Sequence, residues 1–297
     1  DPDGDGPLDS PIAAAIEDAL AGISVSGPIG EGLGVLFETP LFDVAEDHDG
    51  ITLGSDSRIT TQFGMGPGEC VPPLGAPDLA ASLALGGTFP TFGANTPVGG
   101  VPFDVGISIS AEGFNQLLKA QTECGLLVTS LNEIDLGFGP LPLNAALLSI
   151  LMPQFASFPP TTPFRIDIRP TLAPIVTGEA GPNGEITELR VANVLASIIA
   201  DDGSGEVALT AAFDASLGMN VGFVPGALGV ELSAPEPGAI TIAIVLNPLG
   251  VDEFTLETVV LPPLVASLVP DLASSLSSFP LPGFLGLGLG GLEVNRA

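Results

Sequence analysis

The sequence predicts an α+β fold in which a few amphipathic helices pack against antiparallel strands. Four segments place apolar residues at helical spacing, and three segments between the third and fourth of them alternate apolar and polar residues as strands do. The 39 Gly and 30 Pro favour many short elements joined by turns. At 297 residues, the chain is long enough for one large domain with a sizeable core.

The charge balance restricts the partners of this chain. It carries 35 acidic and 6 basic residues, a net charge of −29, so we expect no basic surface for nucleic acid or for an anionic bilayer. Charged residues nevertheless make up only 14% of the chain and hydrophobic residues 45%, which distinguishes it from an acidic disordered tail. The composition therefore predicts a folded protein.

The first helix is predicted to follow a short acidic linker. Residues 1–10 place carboxylates at alternate positions, as loops that bind Ca²⁺ do, but Ile12 stands where such a loop needs a bidentate Glu. A solvated linker and a weak calcium loop both stay open as interpretations. Ser10 is an N-cap and Pro11 the first helical residue, and one face of the helix carries Ile12, Ile16, Leu20 and Ile23.

Three further helices are predicted along the chain. The second begins at the cap Ser110 and ends near Gly125, and the third, over 143–155, is apolar nearly all round and is ended or kinked at Pro153. The fourth contains Pro270 as a kink. The apolar positions of the second are Phe114, Leu117 and Leu118, and those of the fourth are Leu264, Val265, Leu268, Val269, Leu272 and Leu276.

Strand patterns fill the region between the third and fourth helices. Apolar and polar residues alternate over 164–169, 207–213 and 240–245, and turns are expected at Asn183-Gly184 and Asp202-Gly203. Residues 64–102 are rich in Gly and Pro, so we expect a long irregular excursion there.

The two cysteines, Cys70 and Cys124, show no C-x-x-C spacing, which argues against zinc binding and thioredoxin-like chemistry. A disulfide formed in an oxidising compartment is the expected state, and two buried free thiols are the alternative. A bridge would pin the excursion. It would also indicate an exported protein located outside the cell, on the cell surface or in a periplasm.

The sequence shows no pattern of residues typical of a catalytic site or of a cofactor-binding site. Its one histidine, His48, stands among acids ahead of a glycine and is expected in an exposed turn, whereas nucleophilic catalysis needs a histidine beside the nucleophile. The Gly-rich stretch 283–291 lacks the strand and helix context of a phosphate site. We therefore expect no enzyme and no cofactor.

Apolar residues are abundant but interrupted. Every window of about 18 residues contains a polar residue or a proline, so we expect no integral membrane segment. The given sequence does not begin with the basic stretch and following apolar stretch of a secretory signal peptide, so we expect a mature product or an excised fragment. The apolar helix faces fit an ordinary core, or a curved sheet and separated helices that enclose an elongated apolar cavity.

Three segments resemble a known family when taken in order. Residues 107–127 pass from a strand through a serine cap and a Phe-Asn pair into a helix that a glycine closes. Residues 164–176 form a strand that leads into a Pro-containing apolar segment, and residues 264–289 give a helix, a Phe-Pro-Leu-Pro turn and a closing strand. This order resembles the second barrel of the family that includes bactericidal/permeability-increasing protein, lipopolysaccharide-binding protein and cholesteryl ester transfer protein.

The resemblance implies a single tubular lipid-binding barrel over residues 11–297, with a strongly bent antiparallel sheet wrapped around long amphipathic helices. It implies a phospholipid, fatty acid or sterol-like ligand in an elongated apolar pocket between helices and sheet. No cofactor is needed, because hydrocarbon burial contributes about 0.8 kcal/mol per CH₂ group without directional contacts. The residues that would line the pocket are Ile12, Ile16, Leu20, Ile23, Phe114, Leu117, Leu118, Val265, Leu268, Val269 and Leu272.

The chain departs from the family in three respects, one of which is the 64–102 excursion, for which the family offers no clear counterpart. It spans one barrel where the better-known members have two, and a homodimer is one way to replace the missing barrel. Its single Lys does not provide the cation clusters that hold lipopolysaccharide phosphates. The expected partners are a lipid or another apolar small molecule, with transient membrane contact. The alternative is a non-enzymatic extracellular structural or adhesive surface module with a dry core and calcium-dependent contacts.

Overall fold

The computed structural model describes the greater part of the chain. The described residues are 27–28, 34–47, 50–86, 90, 92–103, 106, 108–135, 139–224, 227–235, 238–277, 294 and 296. The predicted linker, the first helix, the closing strand and His48 lie outside these residues. So do four of the residues predicted to line a pocket, namely Ile12, Ile16, Leu20 and Ile23.

The architecture is α+β, as the sequence predicts, and an antiparallel sheet dominates it. This sheet has the strand order β11-β10-β9-β7-β4, with β12 paired to β10 and β8 paired to β9. Its strands are β4 (Thr129–Leu131), β7 (Phe164–Pro170), β8 (Ile175–Val176), β9 (Thr187–Ala200), β10 (Val207–Val224), β11 (Ala227–Leu232) and β12 (Ile240–Leu246).

The main sheet is strongly curled into a half-barrel. The 18-residue strand β10 pairs with β9 on one side, while its other side pairs first with β12 and then with β11. The β9–β10 register shifts between Val207 and Leu209 and again between Phe213 and Ala215. Such irregularities bend a strand and increase its twist, which allows one long strand to serve two edge strands of a curled sheet.

Two smaller strand groups accompany the main sheet. A second sheet joins β1 (Gly27–Pro28), β2 (Val35–Asp47) and β3 (Gly50–Thr61), and a third pairs β5 (Glu133–Asp135) with β6 (Pro140–Pro142). The β2–β3 hairpin was not predicted. Pro40 interrupts the β2 pattern, and the register shifts between Glu38 and Leu41, which accommodates a residue that cannot donate to a ladder.

The described helices agree with the sequence in position and differ in length. They are α1 (Ala111–Glu123), α2 (Ala145–Leu151) and α3 (Leu261–Ser277). Ser110 caps α1 and accepts a hydrogen bond from the Gly113 N–H. Gly125 follows α1 with a φ of +106°, a conformation that glycine adopts at helix ends without strain.

The third and fourth helix predictions need correction at their ends. Helix α2 stops at Leu151, and a 3₁₀ turn continues over Pro153–Ser157. Ile150 is 78% exposed, so one of the residues that make this segment apolar nearly all round lies at the surface. Helix α3 includes Pro270 as predicted, but a helical turn (Glu253–Thr255) and a π-helical turn (Leu256–Val260) extend it towards the N-terminus.

One helix bears on the expectation of no membrane-spanning segment, and it does not contradict that expectation. Across the part of the chain that the structure describes, one continuous helical stretch, Glu253–Ser277, is long and apolar enough to cross a bilayer. Its length comes from the extension before α3, which the apolar-run criterion missed. The core helix of a soluble protein passes the same test, and 44% of the stretch's most apolar window is buried inside the protein.

The excursion is irregular, as predicted, and the predicted disulfide is present. Between Thr61 and Ala111, the described residues form isolated bridges and turns without a named helix or strand. Cys70 is bonded to Cys124 at the C-cap of α1, with Cα atoms 5.8 Å apart. The bridge fixes the beginning of the excursion to the end of α1.

Candidate functional site

The candidate site is the apolar region between α1, α3 and the strands around them. Helix α1 packs against α3, β3 and β8, and α3 packs against β11 and β5. Both helices contribute to one buried hydrophobic cluster, which also includes Phe213 and Leu217 of β10. The two helices are therefore connected to the curled sheet by continuous apolar packing.

The structure brings together seven of the predicted lining residues. Val269 is half-buried and packs against the cluster, while the others lie inside it. The six members inside the cluster are Phe114, Leu117, Leu118, Val265, Leu268 and Leu272, and each is buried. Whether these side chains enclose a ligand remains a prediction, since their packing fits a dry core as well as a pocket wall.

Polar contacts fix the spacing of the two helices and of the sheet. The buried Gln121 side chain of α1 donates through Nε2 to the Ser275 carbonyl of α3 over 3.1 Å. On the same helix, Asn115 accepts from the Val176 N–H at 2.7 Å and donates to the Val176 carbonyl at 3.2 Å. These bonds hold α1 to α3 at one end of the helix and to β8 at the other.

The excursion runs along α1 in the opposite direction to the helix. Cys70 is bonded to Cys124, the Leu79 N–H donates to the Glu123 carboxylate at 3.3 Å, and the Leu85 N–H donates to Glu112 at 2.8 Å. The excursion therefore forms a strap over α1 that covers its side away from α3.

The sequence analysis missed the side chains that hold this strap. Glu112, Gln116, Lys119 and Glu123 recur at intervals of three or four and form a polar stripe on α1, which was a signal that this side packs against polar groups. Gln116 accepts from the Ile59 N–H of β3 at 2.9 Å. Glu123 accepts from Lys119 Nζ at 2.7 Å and from the Thr61 hydroxyl.

A cleft of about 440 Å³ opens between β3, α1 and the excursion. It contains both apolar and charged groups, and two of the chain's six basic residues lie in its wall. The lining residues are Arg58, Ile59, Thr60, Thr61, Phe63, Ala81, Ser82, Gln116, Lys119, Ala120 and Glu123. The cleft is lined from the opposite side of α1 to the predicted apolar face, and the sequence analysis did not anticipate it.

Several carboxylates on the sheet take part in structural contacts. Burial raises the pKa of Glu188, but hydrogen bonds from Arg190, Ser216 and Thr177, together with the charge of Arg190, outweigh it and hold the pKa below its usual value. Arg165 Nη1 contacts Asp201 at 2.6 Å and its Nε contacts Asp167 at 3.0 Å. These groups stabilise strand contacts of β7 and β9 and lie on elements outside the cleft.

Within the described ranges, no group of three or more His, Cys, Asp or Glu side chains is placed to hold a metal ion. The acidic segment 1–10, for which a weak calcium loop was one of two interpretations, lies outside those ranges. What the described site offers chemically is apolar surface, a cleft with two cationic side chains, and hydrogen-bonding groups that are engaged in the fold.

The solved structures that resemble this chain include a lipopolysaccharide binding protein. No family model matches the chain, and no curated protein matches it. A solved structure titled "Crystal structure of lipopolysaccharide binding protein" aligns with a TM-score of 0.44 and 14% sequence identity, covering 91% of this chain and 54% of that chain. The present chain thus spans about half the length of that protein. At this level of similarity the function has to be argued from the chain's own residues.

Proposed function

We propose that this chain is an exported, non-enzymatic lipid-binding protein. Its ligand is a phospholipid, fatty acid or sterol-like molecule held between α1, α3 and the curled sheet. The observation that supports this most is the convergence of the predicted lining residues of α1 and α3 on one apolar cluster against the sheet. The disulfide supports export, because such bridges persist in oxidising compartments.

The apolar content of α3 supports the same proposal. The stretch Glu253–Ser277 is as apolar as a membrane span, yet fewer than half of the residues in its most apolar window are buried within the protein. A helix that only closes a core needs an apolar stripe, whereas a helix that also faces a hydrocarbon ligand needs a wider apolar surface.

A single tryptophan tests this proposal, because the natural chain contains neither Trp nor Tyr. Phe114 of α1 is buried in the cluster, so Phe114→Trp places a fluorophore where the ligand is proposed to lie. A monomeric fatty acid carrying bromine on its acyl chain quenches tryptophan only at short range. We expect saturable quenching of this variant.

The matched control is Phe254→Trp, since Phe254 is largely exposed before α3. Its fluorescence is expected to change little with the same fatty acid. Absence of quenching in the folded Phe114→Trp protein would overturn the proposal and favour the surface module with a dry core.

A further inference from the structure

A compact loop at the start of the excursion exposes four large apolar side chains. We call residues 63–75 the apolar loop. Within it, Phe63 is 56%, Met65 94%, Val71 63% and Leu74 91% exposed. Single exposed apolar residues are common on proteins, but a group of this kind marks an interaction surface.

Hydrogen bonds and the disulfide hold the apolar loop in a defined conformation. The Gly64 N–H donates to the Cys70 carbonyl at 3.0 Å, and the Glu69 N–H donates to the Gly66 carbonyl at 3.1 Å. The Gly66 N–H donates to the Glu69 carboxylate at 2.8 Å. The disulfide then anchors the loop to Cys124. These contacts give the loop a defined backbone conformation, in which the amides of residues 64, 66 and 69 already have partners.

The charge of the protein distinguishes between the possible partners of the apolar loop. Glu69 is the one charged residue in the sequence 63–75, whereas the whole chain carries a net charge of −29. A second copy of the chain and an anionic bilayer would both be repelled by that charge. A zwitterionic lipid surface accepts apolar side chains without this repulsion.

The neighbouring cleft supports a phospholipid surface in particular. Phe63 of the apolar loop shares the cleft with Arg58 and Lys119, and Lys119 is also paired with Glu123. Cationic side chains beside inserted apolar residues can meet the phosphates of the same lipids.

We propose that the apolar loop is the membrane-docking element of this protein. Met65 and Leu74 insert into the surface of a zwitterionic phospholipid membrane, and Phe63 and Val71 lie at its edge. This inference rests on the proposed lipid binding for its choice of partner, and it identifies the place where the protein meets its lipid donor or acceptor.

Flotation with phosphatidylcholine vesicles tests the inference. We compare the natural protein with a Met65→Ser, Leu74→Ser double variant. The control is an Ile150→Ser, Leu172→Ser double variant, which removes two other exposed apolar side chains. Because each large side chain contributes substantially when it leaves water, the loop variant is expected to bind vesicles at least about tenfold more weakly. The control variant is expected to bind as the natural protein does.

Three results would overturn the inference. They are equal vesicle binding by the loop variant and the natural protein, absence of vesicle binding by the natural protein, and a natural dimer in light scattering that the loop variant loses without any vesicle binding. Quenching of Phe114→Trp by the monomeric fatty acid separates the two proposals. Quenching without flotation rejects the docking loop alone, and flotation without quenching rejects the internal lipid site alone.

Discussion

Removal of the disulfide gives the most quantitative prediction for this chain. The perturbation is the double variant Cys70→Ala, Cys124→Ala, which opens a link between residues 54 positions apart. In the chain-entropy account, a bridge of that span restricts the unfolded chain by an amount worth about 4 kcal/mol at 25 °C. We therefore expect the free energy of unfolding to fall by about 4 kcal/mol.

The structure also predicts where the loosening is concentrated. Leu79 and Leu85 stay attached to Glu123 and Glu112 through their backbone N–H groups after the bridge is removed. The 63–75 loop depends more directly on the bridge. Hydrogen exchange is therefore expected to accelerate at the amides of residues 64 and 70 and to change less at residues 79 and 85.

The assay is urea unfolding followed by far-ultraviolet circular dichroism, since the chain has no Trp to report by fluorescence. Natural protein treated with a reductant is the control and is expected to behave like the double variant. A loss below about 1 kcal/mol with unchanged exchange at residues 64 and 70 would show that the bridge restricts neither the unfolded chain nor the loop.

Three further predictions concern the site and the sheet. Leu268→Asp places a charge among buried apolar groups, so it is expected to abolish lipid uptake and to cost about 3–5 kcal/mol of stability. The control Ala266→Asp, on the exposed side of α3, is expected to retain lipid uptake. Unchanged lipid uptake by folded Leu268→Asp protein would contradict the proposed site. Asn115→Ala leaves the N–H and carbonyl of Val176 without their buried partner, so the free energy of unfolding in urea is expected to fall by about 2–4 kcal/mol. A fall below about 0.5 kcal/mol would contradict the role of Asn115 in holding β8. Because the pKa of Glu188 is lowered in the folded state, its stabilisation is complete above the ordinary glutamate pKa of 4.5 and is lost as the pH falls through the folded pKa. The stability difference between the natural protein and Glu188→Gln should therefore shrink from pH 7 to pH 3, and a constant difference would show that this carboxylate does not carry the effect.

The sequence predicted the elements whose pattern is local. Helix α1 has a serine cap, a one-sided apolar face and a terminal glycine, so its bounds could be placed within a few residues. Strands β7 and β12 alternate clearly, and the 64–102 excursion is evident from its glycines and prolines. In these segments, propensity and burial act in the same direction.

The elements that tertiary contacts decide were missed or shortened. The β2–β3 hairpin contains Pro40 and a register shift, and pairing along the rest of its length outweighs that local defect. The extension of α3 begins at Asp252, whose carboxylate caps the turn by accepting from the Thr255 N–H, and then passes through a π-helical turn that has no simple periodicity.

The candidate site was predicted in part for the same reason. The apolar faces of α1 and α3 follow helical spacing and could be identified residue by residue. The strap over α1 depends on backbone groups of an irregular segment that meet Glu112, Asn115 and Glu123 from distant positions. Such contacts leave only a polar stripe in the sequence, which does not specify what the stripe contacts.

Native mass spectrometry of freshly purified protein, followed by organic extraction, shows whether the protein carries a lipid. If a lipid lies between α1, α3 and the sheet, the intact protein carries added mass, and this mass extracts as a lipid and returns when stripped protein is incubated with mixed lipids. A polypeptide that has its bare mass on purification and keeps it after incubation with those lipids would contradict lipid binding and would leave a dry core between α1, α3 and the sheet.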